Sequence, residues 1–295
     1  MPVSRSEEKS LADSASFIAN EIRSFVSQSP WNHMPTPDKD IIFAEPLVQF
    51  ADGDDPIFSE YKEIIDETHL TPREALAQSY EKNPADMPAH LSVISWILPI
   101  TERTRKSNRM QQHTPSELWI YTRWHGEKFN VAVREHVVNH LREMGCLATA
   151  PMLTPSFKMM TGDKGLFSNW SERHIAYAAG LGTFGLSDGF ITEKGIAHRC
   201  GSVVTDLELP ASPRTAAEPY ANCLFYAGEK CGKCIVRCPA GAITEKGHDK
   251  VKCLDYARTE LNYLREKYNA RHIGCGLCQT KVPCEAVNPT RNLKK

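Results

Sequence analysis

No apolar run in this 295-residue chain approaches the roughly 18 residues that a membrane-crossing helix requires. An excess of either charge is missing too: 35 basic side chains face 36 acidic ones, for a net charge of −1. The broad positive footprint of a nucleic-acid-binding surface is therefore not expected. The first residues, MPVSRSEEKSLADSASF, hold neither an apolar h-region nor paired arginines. No export signal is expected from them, which places the chain in the cytoplasm. Disulfide staples are not needed either, since a chain of this length buries about three quarters of its unfolded surface. In a reducing compartment, clustered cysteines read as metal ligands rather than as disulfides.

Up to about residue 210, helix, strand and loop signals alternate, which predicts an α/β or α+β core. Residues 1–40 read as a helical lead-in running into a proline-punctuated loop, Ser29-Pro30 through Thr36-Pro37. Residues 41–90 read as irregular, apart from an acidic turn at Asp52-Gly53-Asp54-Asp55-Pro56 and a helix opening at Thr71-Pro72. Thr71 suits the cap and Pro72 the first helical position. The run from Leu91 to Ile100 predicts a buried strand. Val133, Val137, Val138, Leu141 and Met144 recur at helical spacing and predict an amphipathic helix over 129–144, stopped by Gly145. Strands are expected over Cys146–Leu153, Phe190–Thr192 and Ser202–Leu209, and a helix over Ser171–Ala179. Pro210–Pro219, rich in proline, alanine and serine, is the boundary candidate. It separates a cofactor and substrate domain, 41–212, from a cysteine-rich domain, 213–295. Within the latter, Leu254, Ala257, Leu261 and Leu264 predict a helix of about three turns between Cys253 and Cys275.

The densest basic stretch, TERTRKSNR, holds Arg103, Arg105, Lys106 and Arg109. It reads as a solvated loop or helix end, with a patch for an anionic ligand as the competing reading.

Of ten cysteines, Cys146 and Cys200 stand apart, and the rest run Cys223, Cys231, Cys234, Cys238, Cys253, Cys275, Cys278 and Cys284. Cys231-x2-Cys234-x3-Cys238-Pro239 is three quarters of a bacterial ferredoxin run, and Cys275-x2-Cys278 begins a second. Soft thiolates at these spacings suit iron–sulfur clusters, and eight is the number that two four-iron clusters need. The first ligand of the usual pattern is absent, because Gly228 occupies its place, and Cys223 is the natural substitute. The last is displaced to Cys284, behind Pro283. In two-cluster ferredoxins the cysteine before proline reaches the neighbouring cube. The expected sets therefore cross over: Cys223, Cys231, Cys234 and Cys284 on one cluster, and Cys238, Cys253, Cys275 and Cys278 on the other. One cluster with spare thiols, or a pair of zinc sites, are the alternatives. Cys146 reads as a small buried hydrophobe. Cys200 is read as structural, with a cluster-ligand role or an active-site thiol as the other options.

Gly180-Leu181-Gly182-Thr183-Phe184-Gly185 matches G-x-G-x-x-G, and Asp206 follows about 20 residues later. A dinucleotide loop must leave a strand and open a helix, whereas this one leaves a helix and leads toward a strand. Close backbone packing, against a flat ligand for instance, is the better account. Three blocks then resemble the epoxyqueuosine reductases, relatives of the corrinoid-dependent reductive dehalogenases. They are Glu172-Arg173-x4-Ala178-Ala179-Gly180-Leu181-Gly182-x2-Gly185, Gly201-Ser202-Val203-Val204-Thr205-Asp206-Leu207-x-Leu209-Pro210, and Cys231 through Cys238-Pro239-Ala240-Gly241-Ala242-Ile243. The resemblance covers roughly residues 165–285.

It implies a corrinoid-binding α/β domain followed by a ferredoxin-like domain with two [4Fe-4S] clusters, which pass electrons to cobalamin. Ala179, Gly180, Leu181, Gly182 and Gly185 would then help to build the corrinoid pocket. The family's proton-donating aspartate precedes the Glu-Arg pair, but here Leu166 stands at that place and Gly165–Trp170 holds no carboxylate. Replacement donors are Tyr177, Lys158, His174 and Asp188, while Glu172 and Arg173 read as pairing or capping residues. The expected function is an iron–sulfur oxidoreductase reducing a small organic substrate, fed by an external ferredoxin, flavodoxin or reductase. Alternatives are a non-catalytic reductive activator of a corrinoid protein, an epoxyqueuosine reductase acting on tRNA, and a zinc-stabilised binding module.

Overall fold

The computed structural model describes residues 5–163, 165–216 and 218–293. The first four residues of the predicted lead-in lie outside the described residues. That lead-in is a long helix, α1 (Arg5–Gln28). The segment read as irregular holds an edge strand, β1 (Leu47–Asp52), and a short helix, α2 (Ile57–Ile64). The helix α3 (Pro72–Ser79) starts as expected, with Thr71 and Glu74 forming a reciprocal capping box and Pro72 in the first turn.

β2 (Ser92–Pro99) is the central strand, and all of its residues are buried. Ile94, Trp96 and Leu98 point to one face and Val93 and Ile97 to the other, because strand side chains alternate and both faces are covered. The basic stretch is helical, α4 (Glu102–Arg109). The predicted amphipathic helix extends further back than expected, as α5 (Glu117–Glu143). Its first half is broken as a pattern by Gly126, which sits where Phe43 packs against the helix. Gly145 adopts φ +87 and stops the helix, as predicted.

The strand expected over 146–153 shrinks to β3 (Ala148–Thr149), because Pro151 cannot continue a ladder. A hairpin of β4 (Met159–Gly162) and β5 (Gly165–Ser168) precedes α6 (Glu172–Ala178). A second hairpin follows, of β6 (Gly182–Phe184) and β7 (Phe190–Thr192). The next strand runs earlier than predicted, as β8 (His198–Thr205). The main sheet has the order β1-β2-β8-β3 with every pair antiparallel. The mixed α/β composition is therefore arranged as α+β. α1 and α5 cover one face of this sheet, and α2, α3 and α6 cover the other. The helix-to-strand passage from α6 into β6 is the reverse of a dinucleotide loop, as the sequence indicated.

Beyond Pro219 the elements are short: α7 (Lys233–Arg237), a hairpin of β9 (Ile243–Thr244) and β10 (Gly247–His248), α8 (Lys250–Thr259) and α9 (Tyr263–Lys267). The single helix predicted between Cys253 and Cys275 is thus two helices, and Cys253 lies inside the first. This segment shares its apolar contacts with the rest of the chain. Leu186, Ile191 and Ile196 pack with Cys223, Ile243 and Val282, and Ile120 of α5 packs with Leu261 and Leu264. Among the described residues no helix is long and apolar enough to cross a membrane.

The seam between Trp119 of α5 and the cysteine segment tolerates only glycine at 276. Gly276 has φ +56, and a Cβ there would run into the indole of Trp119. Gly276→Ala should destabilise the chain by about 2–4 kcal/mol, through left-handed strain and overpacking together. Chemical denaturation of the two proteins measures this, and an unchanged midpoint would contradict the packing described.

Candidate functional site

The cysteines are placed by tight local turns. Cys231 leads into α7, which carries Cys234, and Cys238 lies at its C-terminal end. Cys253 sits in the first turns of α8, below an Asp249 cap that accepts from the Lys252 N–H. Cys275 and Cys278 flank the left-handed Gly276 and a 3-10 turn over Leu277–Gln279. Cys284 is fixed by its carbonyl, which accepts the N–H of Ile196 at 2.8 Å.

Electrostatic coupling sorts these thiols into two groups. Burial, followed by the nearby Cys223 and Cys231, pushes the Cys234 thiol up to about 11. Burial, followed by Cys223, Cys234 and Cys231, takes Cys284 up to about 12. In the other group, burial and then Cys275 and Cys238 bring Cys253 up to about 11. Cys278 rises well above its ordinary value through burial, then Cys275, Cys253 and Cys238, and last Cys234. The coupling of Cys234 to Cys278 puts the two groups side by side. Cys223, Cys231, Cys234 and Cys284 thus act on one another, as do Cys238, Cys253, Cys275 and Cys278.

Thiols crowded in this way would repel one another as bare thiolates, and positive metal removes that cost. Cys223, Cys231, Cys234 and Cys284 line one small cavity, walled by Leu186 and Ile196. In the second group the Ala242 N–H donates to the Cys238 sulfur at 3.3 Å, the type of contact that tunes cluster sulfurs. Among the described residues no three His, Cys, Asp or Glu side chains gather round a single-ion position.

Beside the first group opens a cavity of about 780 Å3, bounded by α2, the β4–β5 hairpin, α6 and β6. Its size lies in the upper part of the range for ligand sites, about 300–1,000 Å3. Tyr177, His174 and Asp188 all line it. Burial and the charge of Arg173 pull His174 down to about 3, so its imidazole is neutral at physiological pH. Its Nδ1 lies 2.8 Å from the Ser171 hydroxyl. Burial raises the Asp188 carboxyl, but the hydrogen bond from His248 and the charge of Lys250 outweigh it and hold the group below its usual value. Asp188 Oδ2 lies 3.3 Å from His248 and 3.8 Å from Lys250. The Tyr177 phenol is raised, chiefly by burial, and stays protonated.

Lys158 does not join these groups. It is exposed next to β4 and does not line the cavity. Gly180, Gly182 and Gly185 also differ from expectation. A Cβ on Gly180 would lie 2.7 Å from the Pro213 carbonyl, and one on Gly182 would strike the Ile191 carbonyl. Ala179 and Leu181 are buried in the core. This segment closes on the protein's own backbone rather than on the cavity, and Gly185 lies against the cysteine pocket instead. Leu166 does line the cavity, with carboxylates from Glu60, Asp66 and Asp163 around it. Those acids went unnoticed in the sequence because Glu60 and Asp66 come from the stretch read as irregular, and Asp163 looks like an ordinary turn residue.

Behind α6, Glu172 is a pairing residue. It accepts from Arg134 at 3.0 Å and from the Ser202 hydroxyl at 2.6 Å. Arg173 donates to the Asp188 carbonyl. Burial takes the Cys200 thiol up to about 12, which suits a structural residue, and Cys146 is raised by burial at the edge of the core. The basic stretch is occupied by its own acids: Arg103 by Asp38 and Asp40, Arg105 and Arg109 by Glu102 and Glu285.

No family model matches the chain. An epoxyqueuosine reductase of Bacillus anthracis is 31% identical over 119 residues, which cover 38% of this chain and 29% of that protein. The catabolic reductive dehalogenase NpRdhA, solved in complex with 3-bromo-4-hydroxybenzoic acid, superposes with a TM-score of 0.50 over 94% of this chain and 37% of its own. The chain resembles the epoxyqueuosine reductase and reductive dehalogenase superfamily. At 14% identity the likeness to the dehalogenase concerns the fold alone. A selenomethionine-labelled epoxyqueuosine reductase gives a TM-score of 0.47 at 17% identity, over 92% of this chain and 66% of that one. The chain thus spans 29% of the B. anthracis relative, 37% of the dehalogenase and 66% of the solved reductase, less than two thirds of each.

Three histidines around the cavity and sheet make stability depend on pH. Burial holds His69 down to about 4, His174 to about 3 and His198 to about 4. The unfolded chain takes up these protons first, so the stability they contribute is complete above pH 6.5 and is lost as pH falls toward 4. At pH 5.5 each should cost about 1.4 kcal/mol relative to neutral pH. Urea unfolding at pH 7.5 and 5.5 measures the difference, and His69→Gln should reduce it by one histidine's share.

Proposed function

We propose that this chain is an iron–sulfur reductase with a ferredoxin-like pair of [4Fe-4S] clusters in residues 213–295. The preceding 41–212 holds a redox cofactor, cobalamin, and a small organic substrate. One cluster is held by Cys223, Cys231, Cys234 and Cys284, and the other by Cys238, Cys253, Cys275 and Cys278. The observation that carries the reading is the gathering of eight buried or half-buried thiols into two adjacent groups, one of them beside a large ligand-sized cavity. An external ferredoxin, flavodoxin or reductase in the cytoplasm supplies the electrons.

Cobalamin, when bound, supplies a low-potential metal centre that can reduce carbon-bound leaving groups or strained rings. Its place is the cavity rather than the glycine segment. Tyr61, Phe167 and Phe184 give the cavity apolar walls that exclude water, and Arg173 and Lys250 give it positive groups at one end. Tyr177 keeps its proton at neutral pH and faces the cavity, so it is the donor that replaces the missing aspartate. The balanced net charge and the carboxylates of Glu60, Asp66 and Asp163 disfavour a tRNA polyanion at this mouth. A second reading, a reductive activator of another corrinoid protein, is favoured by Leu166 alone.

Anaerobically reconstituted protein should hold about eight iron and eight sulfide per chain. Cys284→Ser and Cys253→Ser should each remove the signal of a different cluster in electron paramagnetic resonance. If both variants abolish the same signal, the ligand sets are wrong. Once turnover of a substrate is found, Tyr177→Phe should lower kcat by roughly 100-fold or more while KM changes little. Reduction of a partner's cobalt with no turnover would select the activator reading.

A further inference from the structure

A second, smaller cavity of about 170 Å3 borders the cysteine segment. Its lining includes Thr122 and Arg123 of α5, Arg199 of β8, Gly274 and Gly276 on either side of Cys275, and Gln279. Three features of this place point to a missing partner among the described residues.

The first is charge. Arg123, Arg134 and Arg199 surround Glu127, and all three act on its carboxyl. Arg134 spans Glu127 at 3.2 Å and Glu172 at 3.0 Å, while Arg199 reaches Glu127 only at 3.8 Å. Arg123 forms no ion pair with any described residue. Even with both carboxylates ionised, three guanidiniums face two acids, so one positive charge is uncompensated where it borders the cavity. His272 lies near Arg123, and the other charges acting on it are the cations Arg271 and Arg265. The second feature is the repulsion itself. Arg199, followed by burial, lowers the Arg123 guanidinium to about 9, so the two cations are held together at a cost. The third is a hydrogen-bond donor. The Thr122 hydroxyl is buried without any partner among the described residues, in a residue only 1% exposed. A buried hydroxyl left unsatisfied costs stability unless something outside the chain meets it.

We infer that this cavity is a binding site for a small oxyanion of phosphate or sulfate size, held between Arg123 and Arg199 with the Thr122 hydroxyl donating to it. An oxyanion neutralises the facing guanidiniums and uses the orphaned donor at once, and guanidinium groups suit its geometry. The volume is below the range for larger organic ligands, about 300–1,000 Å3, which favours the free ion. The inference needs neither the clusters nor the corrinoid.

Calorimetric titration of the purified full chain with inorganic phosphate, and with glycerol phosphate in a second arm, tests it. One phosphate per chain is expected, with affinity roughly tenfold or more weaker in Arg123→Gln. Arg173→Gln, in the large cavity, should leave it unchanged. Thermal melting gives an independent readout. Phosphate should raise the Tm of the parent protein. Thr122→Val should melt higher than the parent without phosphate, since it removes an unsatisfied group, and should gain less from phosphate. Tighter glycerol phosphate binding would assign the same site to the phosphate of a larger ligand. Absence of binding by both compounds, or binding that survives Arg123→Gln and is lost in Arg173→Gln, would overturn the inference.

Discussion

Glu285 holds the functional end of this molecule in place. Its carboxylate is almost entirely buried, meets Arg109 at 2.6 Å and Arg105 at 3.6 Å, and accepts the Lys281 N–H at 2.7 Å. Its backbone runs beside the loop before β8, where the Ala197 N–H donates to the Glu285 carbonyl and Gly195 packs too closely to tolerate a side chain. Cys284 is the adjacent residue and Cys278 lies on the same short loop. A buried carboxylate is stable only with its charge matched, so α4 and this loop cannot separate without exposing an unpaired ion. Both thiol groups depend on that pairing, because each draws at least one member from this segment.

Arg237 ties the same loop to the earlier cysteines. It donates to the carbonyls of Leu277, Thr280 and Gln111, at 3.3, 3.1 and 2.7 Å, from a position between Cys234 and Cys238. Asn108 of α4 donates to the Cys275 carbonyl and the Thr280 hydroxyl. The short elements after residue 219 have little regular structure of their own. Their order comes from such side-chain to backbone bonds and from apolar contacts borrowed from the sheet domain. The large cavity is left at the junction between the hairpins, α2 and α6, beside the first thiol group.

The parts of the fold carried by local signals were legible in the sequence. Thr71-Pro72 with Glu74 is a complete capping box, the run from Leu91 to Ile100 is buried on both faces, and Gly145 and Gly180 end their helices in the left-handed conformation. The misread parts lack such signals. β1 and α2 were hidden by surrounding turn residues, the first half of α5 by its aromatic content and Gly126, and the short β3 by the proline that truncates it. The glycines at 180, 182 and 185 were seen as needing close approach, which is correct. Only the three-dimensional neighbours reveal that Pro213 and Ile191 are what approaches.

Spacing alone led to the expectation that the thiols serve metal, with the first and last ligands displaced to Cys223 and Cys284 and the sets crossed over. Such properties are local, because x2 and x3 intervals fix how a loop can wrap a cube. Tertiary structure decided which distant groups meet. It joined Asp66, Asp163, Tyr177 and Asp188 around one cavity, excluded Lys158 from it, absorbed the basic stretch into ion pairs with Glu285 and its neighbours, and left Arg123 and Arg199 facing each other. Pairings across a hundred or more residues follow from how sheet and helices pack, and no interval along the chain encodes them.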